Sequence, residues 1–236
     1  MTLEVLPEDW SRALCVVAHP DDIEYGLAAA VAQWTAAGKQ VVYVLVTRGE
    51  AGIDGMDPDR TAAIREQEER NSARVCGVDV VEFLSGHRDG VIEYGVPLRR
   101  DLAHAIRRHR PEAIFSINFR ESWGGRSWNS SDHRNVGLAL LDAARDAGNR
   151  WVFDEELEDT WGGVRFVAFN ASPAATHAVE IGSFVETGIA SLREHAVYIE
   201  GLGTEFDPDA FLRGNARGTG ETFGCEYAVS FEVFDL

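Results

Sequence analysis

The chain is poor in several features that mark whole functional classes. It has only three cysteines in 236 residues, and Cys15, Cys76 and Cys225 lie far apart with no CxxC pair. That excludes a disulfide framework or a thiolate metal site and fits a reducing compartment. Cys15 stands in an apolar run, where a thiol serves as a small hydrophobe. No apolar stretch approaches the roughly 20 residues needed to cross a bilayer. The opening MTLEVLPEDWSR carries three acids and no apolar core, unlike a secretory signal. A cytoplasmic protein is therefore expected. Basic residues are also scarce, 22 against 39 acidic, for a net charge of −17 with histidine neutral. Such a surface repels phosphate backbones and anionic lipid, so neither nucleic acid nor membrane is expected as a partner. The chain has no internal repeat, low-complexity tract or linker, and no P-loop. Its first apolar run is followed by HPDDIEYG rather than GxGxxG, which argues against a dinucleotide-binding oxidoreductase.

What is present alternates. Hydrophobic content of 45% and aromatic content of 10% suffice for a substantial core, and the length suits one α/β domain over 1–236. Apolar runs at 13–18, 40–47, 78–84 and 112–118 read as buried strands. Between and after them, helical spacing predicts helices over 23–39, 60–77, 97–110 and 132–148. Strand–helix alternation signals right-handed βαβ units and a Rossmann-like, mainly parallel sheet with helices on both faces. After about residue 160 the pattern loosens to a strand at 164–170, a helix at 182–199 and a strand at 223–234. These form a smaller C-terminal extension on the substrate side of a core spanning about 1–160.

Ligands of doubly wound sheets collect at the carboxyl ends of strands. Two polar clusters fall there, AHPDD at 18–22 and NSSDHRN at 129–135. A hydrolytic zinc centre needs about three N/O ligands and one open position. His19, Asp22 and His133 supply that number, and Asp21 beside them could take a proton from a bound water. Each piece has an ordinary structural use: Asp21 or Asp22 could cap the helix near Ile23, and Asp132 could cap its own helix. The neighbouring FRESWGGRSWNSS loop holds Trp123 and Arg126, suited either to a sugar face or to packing at a surface.

Several stretches together resemble the LmbE-like, PIG-L-type zinc deacetylases: AHPDDIEYGLAA (18–29), VTRGEAG (46–52), REQEERNSARVCGV (65–78), FLSGHRDG (83–90), SDHRNVG (131–137) and, more weakly, IASLREHAVYI (189–199). The resemblance runs in order over most of the chain. It implies hydrolysis of an N-acyl amide on an amino sugar or its conjugate, with Zn2+ held by His19, Asp22 and His133, and Asp21 as general base. Fe2+, Co2+ or Mn2+ also suit such a site. It further implies that Asp132 tunes His133 and that Glu50, Arg65 and Asp89 contact the sugar. The family usually has a second histidine where this chain has Ser130, and a hydroxyl can donate a hydrogen bond but supplies no charge. His195 is the first candidate to replace that histidine as oxyanion donor or acid; His87 and His177 have no motif behind them. A metal-dependent esterase or phosphoesterase, or a metal-binding protein without catalysis, stay open as alternatives, as does a homo-oligomer.

Overall fold

The structure is a computed structural model that describes residues 2–155, 158–203 and 206–236. In chain order, a short strand β1 (Glu4–Val5) precedes β2 (Arg12–Val17), α1 (Ala28–Ala36), β3 (Gln40–Leu45) and α2 (Pro58–Val75). Then come β4 (Val80–Phe83), α3 (Val96–His109), β5 (Ala113–Ile117), a hairpin of β6 (Ser122–Gly124) and β7 (Ser127–Trp128), and α4 (Ser131–Asp146). The last third adds β8 (Phe166–Asn170), β9 (His177–Glu180), α5 (Val185–Arg193), α6 (Ala196–Gly201), α7 (Pro208–Phe223) and β10 (Ala228–Asp235).

Eight strands form one sheet in the order β1-β9-β10-β8-β5-β2-β3-β4. β8, β5, β2, β3 and β4 pair in parallel, and β10 runs antiparallel to both β8 and β9. The last third thus extends the same sheet. Continuous apolar runs such as ALCVV in β2 are buried on both sides, as a parallel sheet with covered faces requires. One face packs on α1, α5 and α7, where Trp34 stacks on Phe115 at 4.4 Å; the other packs on α3 and α4. The order reverses between β2 and β5. Their carboxyl ends flank the crevice where such folds bind ligands.

Four points differ from expectation. The helix predicted from residue 23 begins only at Ala28, because 18–27 is a turn that the two aspartates hold. The helix predicted over 182–199 breaks at His195, whose φ/ψ of −83°/43° separates α5 from α6. Helix α7 was not foreseen, although Asp207 caps Asp209 and Ala210 at one end and Gly224 closes the other with φ 100°. The last strand starts at Ala228 rather than 223.

Candidate metal centre and its cavity

β2 delivers His19 to the sheet edge, and the chain turns at once. Asp21 adopts φ 88°, a left-handed conformation that costs a non-glycine residue about 1–2 kcal/mol. The turn points neighbouring aspartates in different directions. Asp22 accepts the His19 backbone N–H at 2.9 Å and faces both histidines, its Oδ1 at 3.0 Å from His133 Nε2 and its Oδ2 at 3.5 Å from His19 Nδ1.

Tautomers follow from the surrounding bonds. Asn129 donates its amide N–H groups to the carbonyls of Asn118 and Arg120, so its Oδ1 must accept, and it accepts from His133 Nδ1 at 2.9 Å. The Nε2 lone pair of His133 therefore faces Asp22. His19 Nε2 lies 3.1 Å from Asp89 and 3.3 Å from Asp132, which leaves its Nδ1 lone pair toward Asp22 as well. Two lone pairs and a carboxylate converging in this way repel one another unless a cation, a metal ion or a ring proton, lies between them. Atoms bound 2.0–2.1 Å from a tetrahedral ion lie roughly 3.3 Å apart, close to the separations found here. The donor set thus fits a divalent metal. Burial disfavours charge on His19, yet Asp132, Asp22 and Asp89 outweigh it and hold its pKa well above the usual value. Burial also works against charge on Asp22, but His133 and His19 keep its carboxyl well below the usual range. The same field favours a cation at this point.

Asp21 is oriented separately. Its Oδ1 lies 3.2 Å from Arg65 Nη2, its backbone N–H donates to Glu69 at 3.2 Å, the Tyr198 hydroxyl faces its carboxylate, and its Oδ2 makes no close hydrogen bond among the described residues. Burial, against the pull of Arg65 and with the push of Asp22, raises its pKa to about 6. Arg65 is itself clamped: it donates to the carbonyls of Gly49 (3.0 Å) and Pro20 (2.5 Å), and its guanidinium lies 3.9 Å from the Tyr198 ring centre. Only glycine admits it, since a Cβ at Gly49 or Gly52 would lie 2.2 Å from Nη1. Behind this wall Glu24, Glu69 and His195 form a buried cluster, of which Glu24 alone lines the cavity. His195 Nε2 lies 3.5 Å from Glu24 and 3.7 Å from Glu69, and Ser72 donates to Glu24 at 2.5 Å. Burial alone would lower the His195 pKa, but the two carboxylates raise it to about 9.

The residues singled out from sequence separate clearly. His19, Asp21, Asp22, Arg65, Asp89, Trp123, Ser130 and His133 all line one cavity of about 870 Å³. Asp132 lies beneath it and does not cap its helix. Ser130 does, accepting the Asp132 N–H at 3.1 Å, while the Asp132 carboxylate accepts from Gly90 and Ile92 and meets His19 rather than His133. Glu50 stays off the cavity and accepts the Asp89 N–H at 2.9 Å, as Asp89 accepts that of Ala51 at 2.8 Å, tying two loops together. Trp123 packs edge-on against His133 at 5.6 Å. Arg126 is exposed in the β6–β7 turn and does not line the cavity. Nor does His195, which is fully buried and faces Glu24 and Glu69, so it meets the cavity only through Glu24, which does line it. His87 pairs with Asp101 and His177 lies near Glu4, both outside the cavity. Sequence reasoning missed Asn129, Glu24 and Glu69; Asn129 stands four residues before His133, the one local signal, while Glu24 and Glu69 find their partners on other elements.

Known proteins resemble this chain in sequence and in fold. A diacetylchitobiose deacetylase from Thermococcus kodakarensis is 28% identical over 227 residues, covering 93% of this chain and 82% of that protein. A 1D-myo-inositol 2-acetamido-2-deoxy-alpha-D-glucopyranoside deacetylase from Kineococcus radiotolerans is 37% identical over 177 residues, covering 58% of this chain and 48% of that protein. Among solved structures, N,N'-diacetylchitobiose deacetylase from Pyrococcus horikoshii superposes with a TM-score of 0.84 at 25% identity, covering 97% of this chain and 85% of that one. Residues 14–144, over half the chain and containing every residue of the converging cluster, match the PIG-L family, described as GlcNAc-PI de-N-acetylase. The chain belongs to the PIG-L family.

Proposed function

We propose that this chain, acting as one domain, is a metal-dependent hydrolase that removes an N-acyl group, acetyl foremost, from an amino sugar or its conjugate. The observation that carries this is the convergence of the His19 and His133 lone pairs on Asp22, with Asp21 Oδ2, which makes no close hydrogen bond among the described residues, beside them on one cavity wall. His19, Asp22 and His133 would hold the ion, Zn2+ by donor type and Fe2+ as an alternative. Such an ion polarises an amide carbonyl and acidifies a bound water.

The rest is work for the protein's own side chains. Asp21 takes the proton of the attacking water at Oδ2, while Arg65 holds Oδ1 and keeps the carboxylate from rotating. The pKa of about 6 lets that carboxyl accept a proton near neutrality and then return it to the departing nitrogen. His195 is sealed off, so the returning proton is assigned to Asp21. Asp132 and Asp89 fix the His19 ring, as Asn129 fixes His133. Ser130 Oγ uses a lone pair on the Asp132 N–H, leaving its hydrogen to donate to a developing oxyanion. Trp123 offers a face to the sugar ring. The curated relatives named above are deacetylases of acetylated amino sugars, which supports the substrate class.

The test is acetate release from a panel of N-acetylated amino sugars and conjugates, on protein of known zinc occupancy. Zinc-dependent release from any member is expected. Turnover of esters alone at full occupancy would replace the amide assignment.

A further inference from the structure

The cavity extends well beyond the converging cluster. From the end of β2 it follows the sheet edge past Ile117 on β5 and Asn170 on β8 to Ala228, Val229 and Ser230 on β10. Three strand spacings make that run about 14 Å, and the volume of about 870 Å³ lies near the top of the roughly 300–1,000 Å³ of drug-sized sites. The two ends differ chemically. Carboxylates, imidazoles and Ser130 surround the β2 end. The β10 end is walled mainly by Ile181, Val185, Leu212, Ala216 and Val229, with Asn215, Thr219 and Ser230 beside them, and at its rim Tyr25 and Phe211 meet edge to face at 5.7 Å.

Asn170 stands between the two ends. It is 5% exposed, its Oδ1 is buried without a hydrogen-bond partner among the described residues, and it lines the cavity. A buried, unmade hydrogen bond costs about 1–3 kcal/mol, so an unpartnered acceptor on a ligand cavity points to a ligand donor. The fit is close, since a Cβ at Gly26 would lie 2.9 Å from that oxygen.

Building on the amino-sugar assignment above, we propose that the β8–β10 end is a second subsite, taking an apolar substituent, aryl or medium-chain alkyl, next to an O–H or N–H that donates to Asn170. The preferred substrate is thus an amphipathic amide-bearing sugar. The apolar group is either the aglycone or the acyl chain, and one experiment separates them. Calorimetry would compare methyl with phenyl β-D-glucosaminide on the zinc-loaded protein. It would also compare N-acetyl with N-hexanoyl methyl glucosaminide on the Asp21→Asn variant, where neither is consumed.

We expect at least one apolar member to bind about tenfold tighter than its small counterpart. Thr219→Trp, at a half-buried lining position on α7, should abolish that ratio, and a mere folding defect would weaken both members in parallel. Asn170→Leu, similar in volume, should weaken the apolar member by about five- to tenfold. A gain in the phenyl series assigns the subsite to the aglycone, and a gain in the hexanoyl series assigns it to the acyl chain. Equal affinities in both series, or a ratio that survives Thr219→Trp, would overturn the subsite. Because these are binding ratios, they stand apart from deacetylation: absence of acetate release would undo the proposed activity and leave the ratios to judge the subsite.

Discussion

Two groups of imidazole and carboxylate lie back to back in this molecule, and their chemistry differs because their access differs. His19, Asp22 and His133 open onto the cavity with two lone pairs aimed at one point, and each histidine's other ring nitrogen is engaged elsewhere. His195, Glu24 and Glu69 are built from the same residue types at similar distances, yet none is more than 1% exposed. The open group can exchange water and substrate. The buried one reaches the cavity only through Glu24, shares a proton among its members, and braces the Asp21 turn through Glu69. Residue type alone does not separate a reactive centre from a bracing one; exposure and the direction of lone pairs do.

Substitutions should break the pair apart. The largest effect is expected for His133→Ala, which removes one ligand of the open group. Metal content should fall from about one ion per chain to near none and acetate release to background; elemental analysis with the release assay checks both. His195→Leu should do the reverse. It strands two buried carboxylates, so urea unfolding should show about 3–5 kcal/mol lost, while metal content stays near the native level.

The pH dependence sharpens the contrast. Glu24, Glu69 and Asp21 face His195, and its pKa rises to about 9 in the folded chain from a usual value near 6.5. A raised histidine pKa stabilises the folded state fully below about pH 6.5, and this contribution is lost as pH rises through about 9. Stability measured from pH 6 to 10 should therefore fall by the order of 3 kcal/mol, and His195→Leu should flatten that profile. The smallest effect is expected for Ser130→Ala. Losing the α4 cap should cost about 1 kcal/mol in thermal unfolding, and losing the hydroxyl should lower the acetate release rate with metal content unchanged.

Much of this was legible in the sequence, for local reasons. An apolar run leading into HPDD places His19, Asp21 and Asp22 at a buried strand end, and the next polar cluster after a strand brings His133 to the same switch point. The parallel sheet was legible because its strands are apolar on both faces. The remainder depends on partners distant in the chain. Asp21 meets Glu69 and Arg65 across more than 40 residues, so no spacing marked Arg65 as a clamp. Helix α7 carries three glycines within Pro208–Phe223, which obscured its periodicity despite sound caps. The break at His195 arises because its ring is drawn toward Glu24 and Glu69, a tertiary pull that overrides the helical pattern on either side. Arg126, basic and beside two tryptophans, looked suited to a ligand yet sits on the exposed turn of a hairpin.

The most direct measurement pairs metal content with acetate release for Asp21→Asn against the native chain. If Asp21 moves the proton while His19, Asp22 and His133 hold the ion, the variant keeps its metal, and its release rate falls by about 10²–10⁴. Loss of metal together with activity would make Asp21 a ligand, and native-like release would remove it from the chemistry altogether.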